Sequence, residues 1–394
     1  MTNTARILLL IVLLSLVLSG WDLTPARAAS LTDPCLSAIT VTSNADNGAA
    51  SLRQAVADAC SGGTINFAFA APITITLFST IELNKDLTIS GPGADHLSIS
   101  GGDVIEPFKV ASGVTVDIEG LTIQNGNVLV ANVIQEVSGF SLYYKYGGAI
   151  LNQGNLTVRE SAFYGNTADN AGGAIMNYNG TLSIVDSTFI GNSSPAATFG
   201  YGGAVGSVGT LTVQNSTFSG NSAGTGGGIF AQTTVSIQNS TITGNTANSA
   251  GGIYYAATDA IITNTIIAHS VSGNDCDGLG TVLTNSHNLV QDGSCSSTYS
   301  GDPDLGLPGL YGGHTVTIPL LSGSPAIGQG SSCLESDQRG LTRGSTCDIG
   351  AYQTTGFLAR TRPASDPTGD STTLNGTVNA NNASATVTFE YGPT

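Results

Sequence analysis

A glycine pair recurs just ahead of an aliphatic residue at Gly147-Gly148-Ala149-Ile150, Gly172-Gly173-Ala174-Ile175, Gly202-Gly203-Ala204-Val205, Gly226-Gly227-Gly228-Ile229 and Gly251-Gly252-Ile253. The aliphatic positions Ile150, Ile175, Val205, Ile229 and Ile253 are separated by 25, 30, 24 and 24 residues. Between the glycine pairs lie six segments of one pattern: Val116 to Ile123, Leu156 to Phe163, Leu182 to Phe189, Leu211 to Phe218, Val235 to Ile242 and Ala260 to Ile267. Each alternates apolar and polar residues, passes through Asn, an acid or another small step, and ends on a large apolar side chain. Alternation with period two places one face of a strand inward. A unit of this length holds two or three short strands and cannot bury its apolar face alone, so units must stack with parallel strands ~4.8 Å apart. The expected fold is all-β, a right-handed parallel β-helix.

Two columns of polar residues follow from that stacking. Glu160, Asp186, Asn215, Asn239 and Asn264 each stand three residues before the large apolar position, and Asn166, Asn192, Asn221 and Asn245 follow a glycine one turn later. Asn tolerates left-handed turn positions and its amides can bond along a stack, so both columns are expected to be asparagine ladders. Residues Ser51 to Cys60 break the pattern. They read as a short amphipathic helix with Ser51 as N-cap and Leu52, Val56 and Ala59 on one face. A solenoid end exposes core and unpaired strand edges, so this helix is expected to be its N-terminal cap.

Composition fits a secreted solenoid and excludes several partners. Charged residues make up 10% of the chain, against roughly 25% in average soluble proteins, and Gly reaches 52. Acidic groups outnumber basic ones 27 to 11, with no Lys or Arg between Arg159 and Arg339. Nucleic acid and polyanionic glycans are therefore not expected partners, because phosphate or carboxylate neutralisation needs clustered basic groups. Arg6, the apolar run Ile7 to Leu18 and Ala26-Arg27-Ala28 read as a signal peptide over residues 1–28. A run of twelve residues is too short to cross a bilayer, and no later segment is apolar enough, so no transmembrane segment is expected after cleavage. Six cysteines in an exported chain imply disulfides. Stacking makes sequence neighbours spatial neighbours, which favours Cys35 with Cys60, Cys276 with Cys295 and Cys333 with Cys347 among the possible pairings.

The G-G-A-I elements and the F-x-x-N steps Phe163 to Asn166, Phe189 to Asn192 and Phe218 to Asn221 resemble the repeats of polymorphic outer-membrane adhesins. Ser324-Pro325-Ala326-Ile327, Asp337-Gln338-Arg339-Gly340 and Cys347-Asp348-Ile349-Gly350-Ala351-Tyr352 are similar to the terminal signature of the choice-of-anchor Q family of bacterial secreted β-helix proteins. Ile39 to Ala57, and Asn288-Leu289-Val290 between Cys276 and Cys295, are similar to that family as well. The resemblance spans about residues 35 to 353; the sequence departs from it at Gly328-Gln329-Gly330, where the family has Asp-Ala-Gly. It implies an extracellular, surface-displayed protein with a variable C-terminal attachment and no defined activity.

The β-helix with its cap is expected over residues 29–353, a Pro- and Thr-containing linker over 354–370, and the start of a fibronectin-type β-sandwich over 371–394. There Thr373 to Val378 and Ala385 to Glu390 read as a hairpin that two strands alone cannot stabilise, so the chain is expected to continue past Thr394.

The function expected is adhesion or scaffolding at a cell surface, the alternative being a carbohydrate-active enzyme, either a polysaccharide lyase or a glycoside hydrolase. A lyase needs a base and positive charge, which the middle coils lack. Glycoside hydrolysis needs two carboxyl groups, and Glu160 and Asp186 occupy one column in adjacent coils. The same column continues as asparagine, which favours a turn ladder. Asp275, Asp277 and Asp292 are candidate calcium ligands on loops. No cofactor is called for. Binding has a better-placed candidate: two long coils carry Tyr143, Tyr144 and Tyr146, and Phe199 and Tyr201, at the corner before the glycine pair. Insertions in repeat proteins often form the binding face, and these rings suit a glycan or a protein on a surface.

Overall fold

The structure is a computed structural model that describes residues 35–129, 131, 133–137, 140–195, 200–256, 260–279, 282–354, 358–365 and 373–379. The segment read as a signal peptide lies outside these residues. Three parallel sheets stack into a solenoid. Sheet I has ten strands, from Leu36–Val41 to Val282–Ser286; sheet II has nine, from Ile73–Thr76 to Leu289–Val290; sheet III has eight, from Ile81–Leu83 to Cys276–Gly278. Each coil visits sheets I, II and III in turn. The spacing read from sequence is the register itself, since Ile150, Ile175, Val205, Ile229 and Ile253 pair in succession along sheet III.

Inward side chains form continuous ladders. Phe163, Phe189 and Phe218 are fully buried, with ring centroids 4.6 and 4.7 Å apart and planes within 3° and 2° of parallel. Each such contact contributes about 0.5–1.5 kcal/mol beyond the area it buries. The glycine pair has two separate causes. At its first position the backbone turns left-handed, with φ of 67° at Gly147 and 64° at Gly172. At its second, a Cβ on Gly148 would lie 2.1 Å from the carbonyl oxygen of Gly173 in the next coil, so any side chain would prise the coils apart.

The second polar column is a buried asparagine ladder. The Nδ2 groups of Asn166, Asn192 and Asn221 donate to the Oδ1 of Asn192, Asn221 and Asn245 at 2.9, 3.0 and 3.0 Å. Asn192 Nδ2 also donates to the Phe163 carbonyl, which ties the amide ladder to the phenylalanine ladder. Helix α1 spans Leu52–Asp58, with Ser51 Oγ accepting from the Gln54 N–H at 3.2 Å and Leu52, Ala55 and Val56 buried. It packs on the first two strands of sheet I, as a cap must.

After the last coil the chain turns back and straps itself over the outer face of sheet II. The outward positions Thr188, Thr217 and Thr241 pair in register and are buried by this strap. Thr188 Oγ1 donates to the Val316 carbonyl, Thr217 Oγ1 donates to Gln338 Oε1 at 2.6 Å, and the Ala351 N–H donates to Thr241 Oγ1. A small second core joins Ile266, Ala268 and Leu289 of the sheet to Leu320, Ala326 and Ile349 of the strap.

Residues 337–353 tie the strap together internally. Asp337 and Arg339 form an ion pair with no solvent exposure on either side chain, and the Arg339 guanidinium sits 3.7 Å above the Tyr352 ring. Asp337 also accepts from the backbone N–H groups of Arg339, Leu341 and Gln353. Arg343 donates to Asn215 Oδ1 and to the carbonyls of Ser336, Asp348 and Gly350, while burial pulls its guanidinium down to about 10. Disulfides join Cys276 to Cys295 and Cys333 to Cys347, as expected, and Cys35 and Cys60 are each disulfide-bonded.

Part of the segment expected to be a linker is a strand. Leu358–Ser365 pairs antiparallel with Thr373–Asn379, and the register shifts between Arg362 and Ser365, around Pro363, which has no N–H to give the ladder. Ala385 to Glu390, the partner expected for Thr373 to Val378, lies outside the described residues.

Candidate binding groove

With sheet II covered by the strap, the outer face of sheet III carries the open apolar surface. Three columns build it. The residue after each inward aliphatic points outward, giving Leu151, Met176, Gly206, Phe230, Tyr254 and Asp277 in register. A second column pairs Tyr146, Ala171, Tyr201, Thr225 and Ser249 through single parallel bridges just before the glycine pair. The third is set by successive backbone hydrogen bonds beyond the strand ends and holds Tyr178, Val208, Gln232, Ala256 and Leu279.

All members of these columns except Leu151, Tyr178, Gly206 and Asp277 line a groove of about 580 Å³, within the range of roughly 300–1,000 Å³ common for ligand sites. The rings on and beside it fall into two clusters. Tyr146 lies 5.2 Å from Tyr144 and 5.7 Å from Tyr178; Phe230 lies 4.6 Å from Tyr201 and 5.6 Å from Tyr254. Between the clusters Gly206 occupies the register position from Met176 to Phe230 without a side chain, so Tyr201 can lean across to Phe230. Burial, and then the neighbouring Tyr144, Tyr178 and Tyr201 hydroxyls, push the Tyr146 phenol up to about 12, so it stays a neutral hydrogen-bonding group at any ordinary pH. The polar lining consists of tyrosine hydroxyls, Thr225, Ser249 and Gln232, and no charged residue is among the described lining residues. At the far end Ser249 Oγ donates to Asp277 Oδ2 at 3.2 Å.

Of the aromatic residues expected to bind, Tyr144, Tyr146 and Tyr201 are brought onto this face. The first insertion leaves the coil as an antiparallel hairpin, Val133–Val137 with Phe140–Tyr144. Tyr143 lies in its second strand, its side chain outside the described residues, and Phe199 is outside them altogether. Tyr178, Phe230 and Tyr254 were not singled out from sequence. Their signal was present, since Phe230 and Tyr254 directly follow the aligned aliphatics Ile229 and Ile253 and period two must turn them outward.

Glu160 and Asp186 sit on a different corner. Both have left-handed backbone, with φ of 43° and 51°, as do Asn215, Asn239 and Asn264 at 46°, 49° and 50°. This is the geometry of a turn ladder. The expected stacking of amides along this column does not occur, however. Asn215 Nδ2 donates to the Ser336 carbonyl, Asn239 Oδ1 accepts from the Leu334 N–H, and Asn264 bonds both the N–H and the carbonyl of Ser331. The corner side chains project outward, where the strap supplies partners 67 to 128 residues away. Glu160 and Asp186 line a small pocket of about 190 Å³ with His314, Gln338 and Arg339 of the strap. Burial raises the Asp186 carboxyl to about 7, opposed by the Asn215 amide and reinforced by Glu160, and its buried Oδ1 accepts no hydrogen bond among the described residues.

The three aspartates near the Cys276–Cys295 bridge are engaged with backbone. Asp275 Oδ2 accepts from the Asp292 N–H while Asp292 Oδ2 accepts from the Asp275 N–H, and Asp275 Oδ1 accepts from the Ser270 N–H. Asp277 turns the other way, to Ser249 and its own neighbour Gly278.

Residues 160–178 and 215–232 match the Chlamydia polymorphic membrane protein repeat. Each match begins at a left-handed corner residue, runs through the phenylalanine and asparagine ladders and the glycine pair, and ends in the third column of sheet III, at Tyr178 beside Tyr146 or at the groove-lining Gln232. No curated protein matches the chain. No helix among the described residues is long and apolar enough to cross a membrane.

Proposed function

We propose that this chain is a surface-displayed, adhesin-like β-helix that holds an uncharged glycan along the groove of sheet III. The observation that carries the reading is the lining itself, which combines aromatic rings, hydroxyls and an amide with no charged group. Such a surface suits sugar rings, whose apolar faces pack on aromatics and whose hydroxyls exchange hydrogen bonds with Tyr, Ser, Thr and Gln. The repeat match and the disulfides support display outside the cell. The signal peptide read at residues 1–28 and the choice-of-anchor Q resemblance extend the same reading, with export first and attachment through a region following the β-helix. Binding rather than cleavage is proposed, because the described groove lining brings no pair of carboxylates to a bound sugar.

The test is a titration of the full chain with neutral oligosaccharides, repeated with Tyr201→Ala, Phe230→Ala and Tyr254→Ala. Each ring removed is expected to weaken binding by about two- to twelvefold, from roughly 0.5–1.5 kcal/mol per aromatic contact. Retention of full affinity in the triple variant, or the absence of any neutral glycan ligand, would overturn the proposal.

A further inference from the structure

Coil and strap meet at a second site, away from the groove. Asp95 and His96 lie in the turn that leads into the sheet II strand Leu97–Ser100, and His314 lies at the tip of the strap hairpin closed by the Leu305–Leu320 and Gly309–Thr317 bridges. Although 219 residues separate them in sequence, Asp95 Oδ1 lies 2.9 Å from His314 Nδ1, and it lies 2.8 Å from His96 Nδ1. One ligand atom from each of the three residues falls within 4.8 Å of the others, the sole such cluster of three or more metal-binding side chains among the described residues.

Gly93 supplies the second observation. Its backbone has φ of 133°, and a Cβ built there would lie 2.9 Å from Asp95 Oδ1, 2.9 Å from His314 Nδ1 and 3.3 Å from His96 Nδ1. A side chain at this position would crowd all three ligand atoms, and glycine leaves them room.

We propose that Asp95, His96 and His314 bind a divalent transition-metal ion of the zinc class, which fastens the strap to an early coil. Two imidazole nitrogens and a carboxylate oxygen are the donor set that suits zinc, nickel or copper rather than calcium or magnesium. Zinc takes such donors at about 2.0–2.2 Å, so the ligand atoms move apart by a few tenths of an ångström from their present hydrogen-bonded contacts. Each neutral imidazole then carries its proton on Nε2 and turns the Nδ1 lone pair to the ion. Three protein ligands leave a fourth position to water. His96 is well placed to be rigid, because its N–H donates to the Gly93 carbonyl and its carbonyl accepts from the Ile73 N–H. His314 comes from the strap, so the ion would act as a cross-link between segments distant in the chain.

The experiment titrates zinc alone into the full chain, prepared without a histidine tag, by calorimetry and follows the melting temperature in parallel. One zinc per chain and a raised melting temperature are expected. His96→Ala and His314→Ala should each weaken zinc binding by more than about tenfold and remove the thermal shift. All three side chains are exposed, so the variants should fold, and unchanged far-UV circular dichroism checks that they do. His269→Ala, which removes a histidine paired with Asp302 elsewhere, should leave binding unchanged. Failure of the wild-type chain to bind zinc, or wild-type affinity in His314→Ala, would overturn the assignment and leave the cluster a hydrogen-bonded latch only.

Discussion

Replacing Asp186 by Asn should stabilise the protein, and should do so more at high pH than at low. The Asp186 carboxyl is raised from an ordinary 3.8 to about 7 because folding buries it, and Glu160 adds to the rise. Between these two values the folded chain keeps a proton that the unfolded chain releases, so stability falls as pH rises through the window and levels off above about 7. With about 1.4 kcal/mol per decade, the loss reaches ~4 kcal/mol at pH 8 but only ~1.5 kcal/mol at pH 5. The amide introduced by Asp186→Asn carries no charge to desolvate, and it suits the left-handed backbone that Asn215, Asn239 and Asn264 adopt at the same corner. Urea denaturation of the wild type and Asp186→Asn at pH 5 and pH 8 should therefore show a gain about 2.5 kcal/mol larger at the higher pH. An equal gain at both values would refute the electrostatic argument. Loss of stability at pH 8 would show that the carboxylate is needed by the fold.

Phe189→Ala removes the middle ring of a stack and should destabilise the chain by about 3–5 kcal/mol, measured by thermal or urea unfolding. A cost below about 1 kcal/mol would mean that the ladder is not a close-packed core. Asn192→Ala leaves the Asn166 amide and backbone N–H without their shared acceptor and the Phe163 carbonyl without its Asn192 donor. At about 1–3 kcal/mol for each buried orphan, it should cost more than Phe189→Leu and should raise amide hydrogen exchange at Asn166; protection unchanged from wild type would contradict the ladder.

The coil period, the inward ladders and the helical cap were legible because each is a local pattern repeated in register. A stack turns a spacing of 24 to 30 residues directly into strand pairing, and Phe163, Phe189 and Phe218 needed no further information. The corner column misled for the converse reason. Asn215, Asn239 and Asn264 look like a ladder to any local reading, but their partners are Ser336, Leu334 and Ser331, which no periodicity connects to them. The groove was half legible. Tyr144, Tyr146 and Tyr201 stood out as insertions, whereas Phe230 and Tyr254 hid among core aliphatics whose neighbours had already been assigned inward. Leu358–Ser365 was obscured by Pro363, which reads as a breaker until a register shift removes the demand on its nitrogen. The role of Asp337 and Arg339 as a buried lock could not be read from their spacing, because it depends on the strap that they fasten.

That strap bears on how such a chain can change over evolutionary time. An unbraced solenoid lengthens or shortens freely, since duplicating or deleting one rung leaves every other rung with equivalent neighbours. Here Gln338 grips Thr188 and Thr217 at once, and Ala351 is held at Thr241, two rungs beyond Thr188. An added rung in that interval would pull these anchor points out of step by ~4.8 Å. Growth by duplication is thus confined to stretches the return segment does not span, and the middle of the rod is held to a set number of turns.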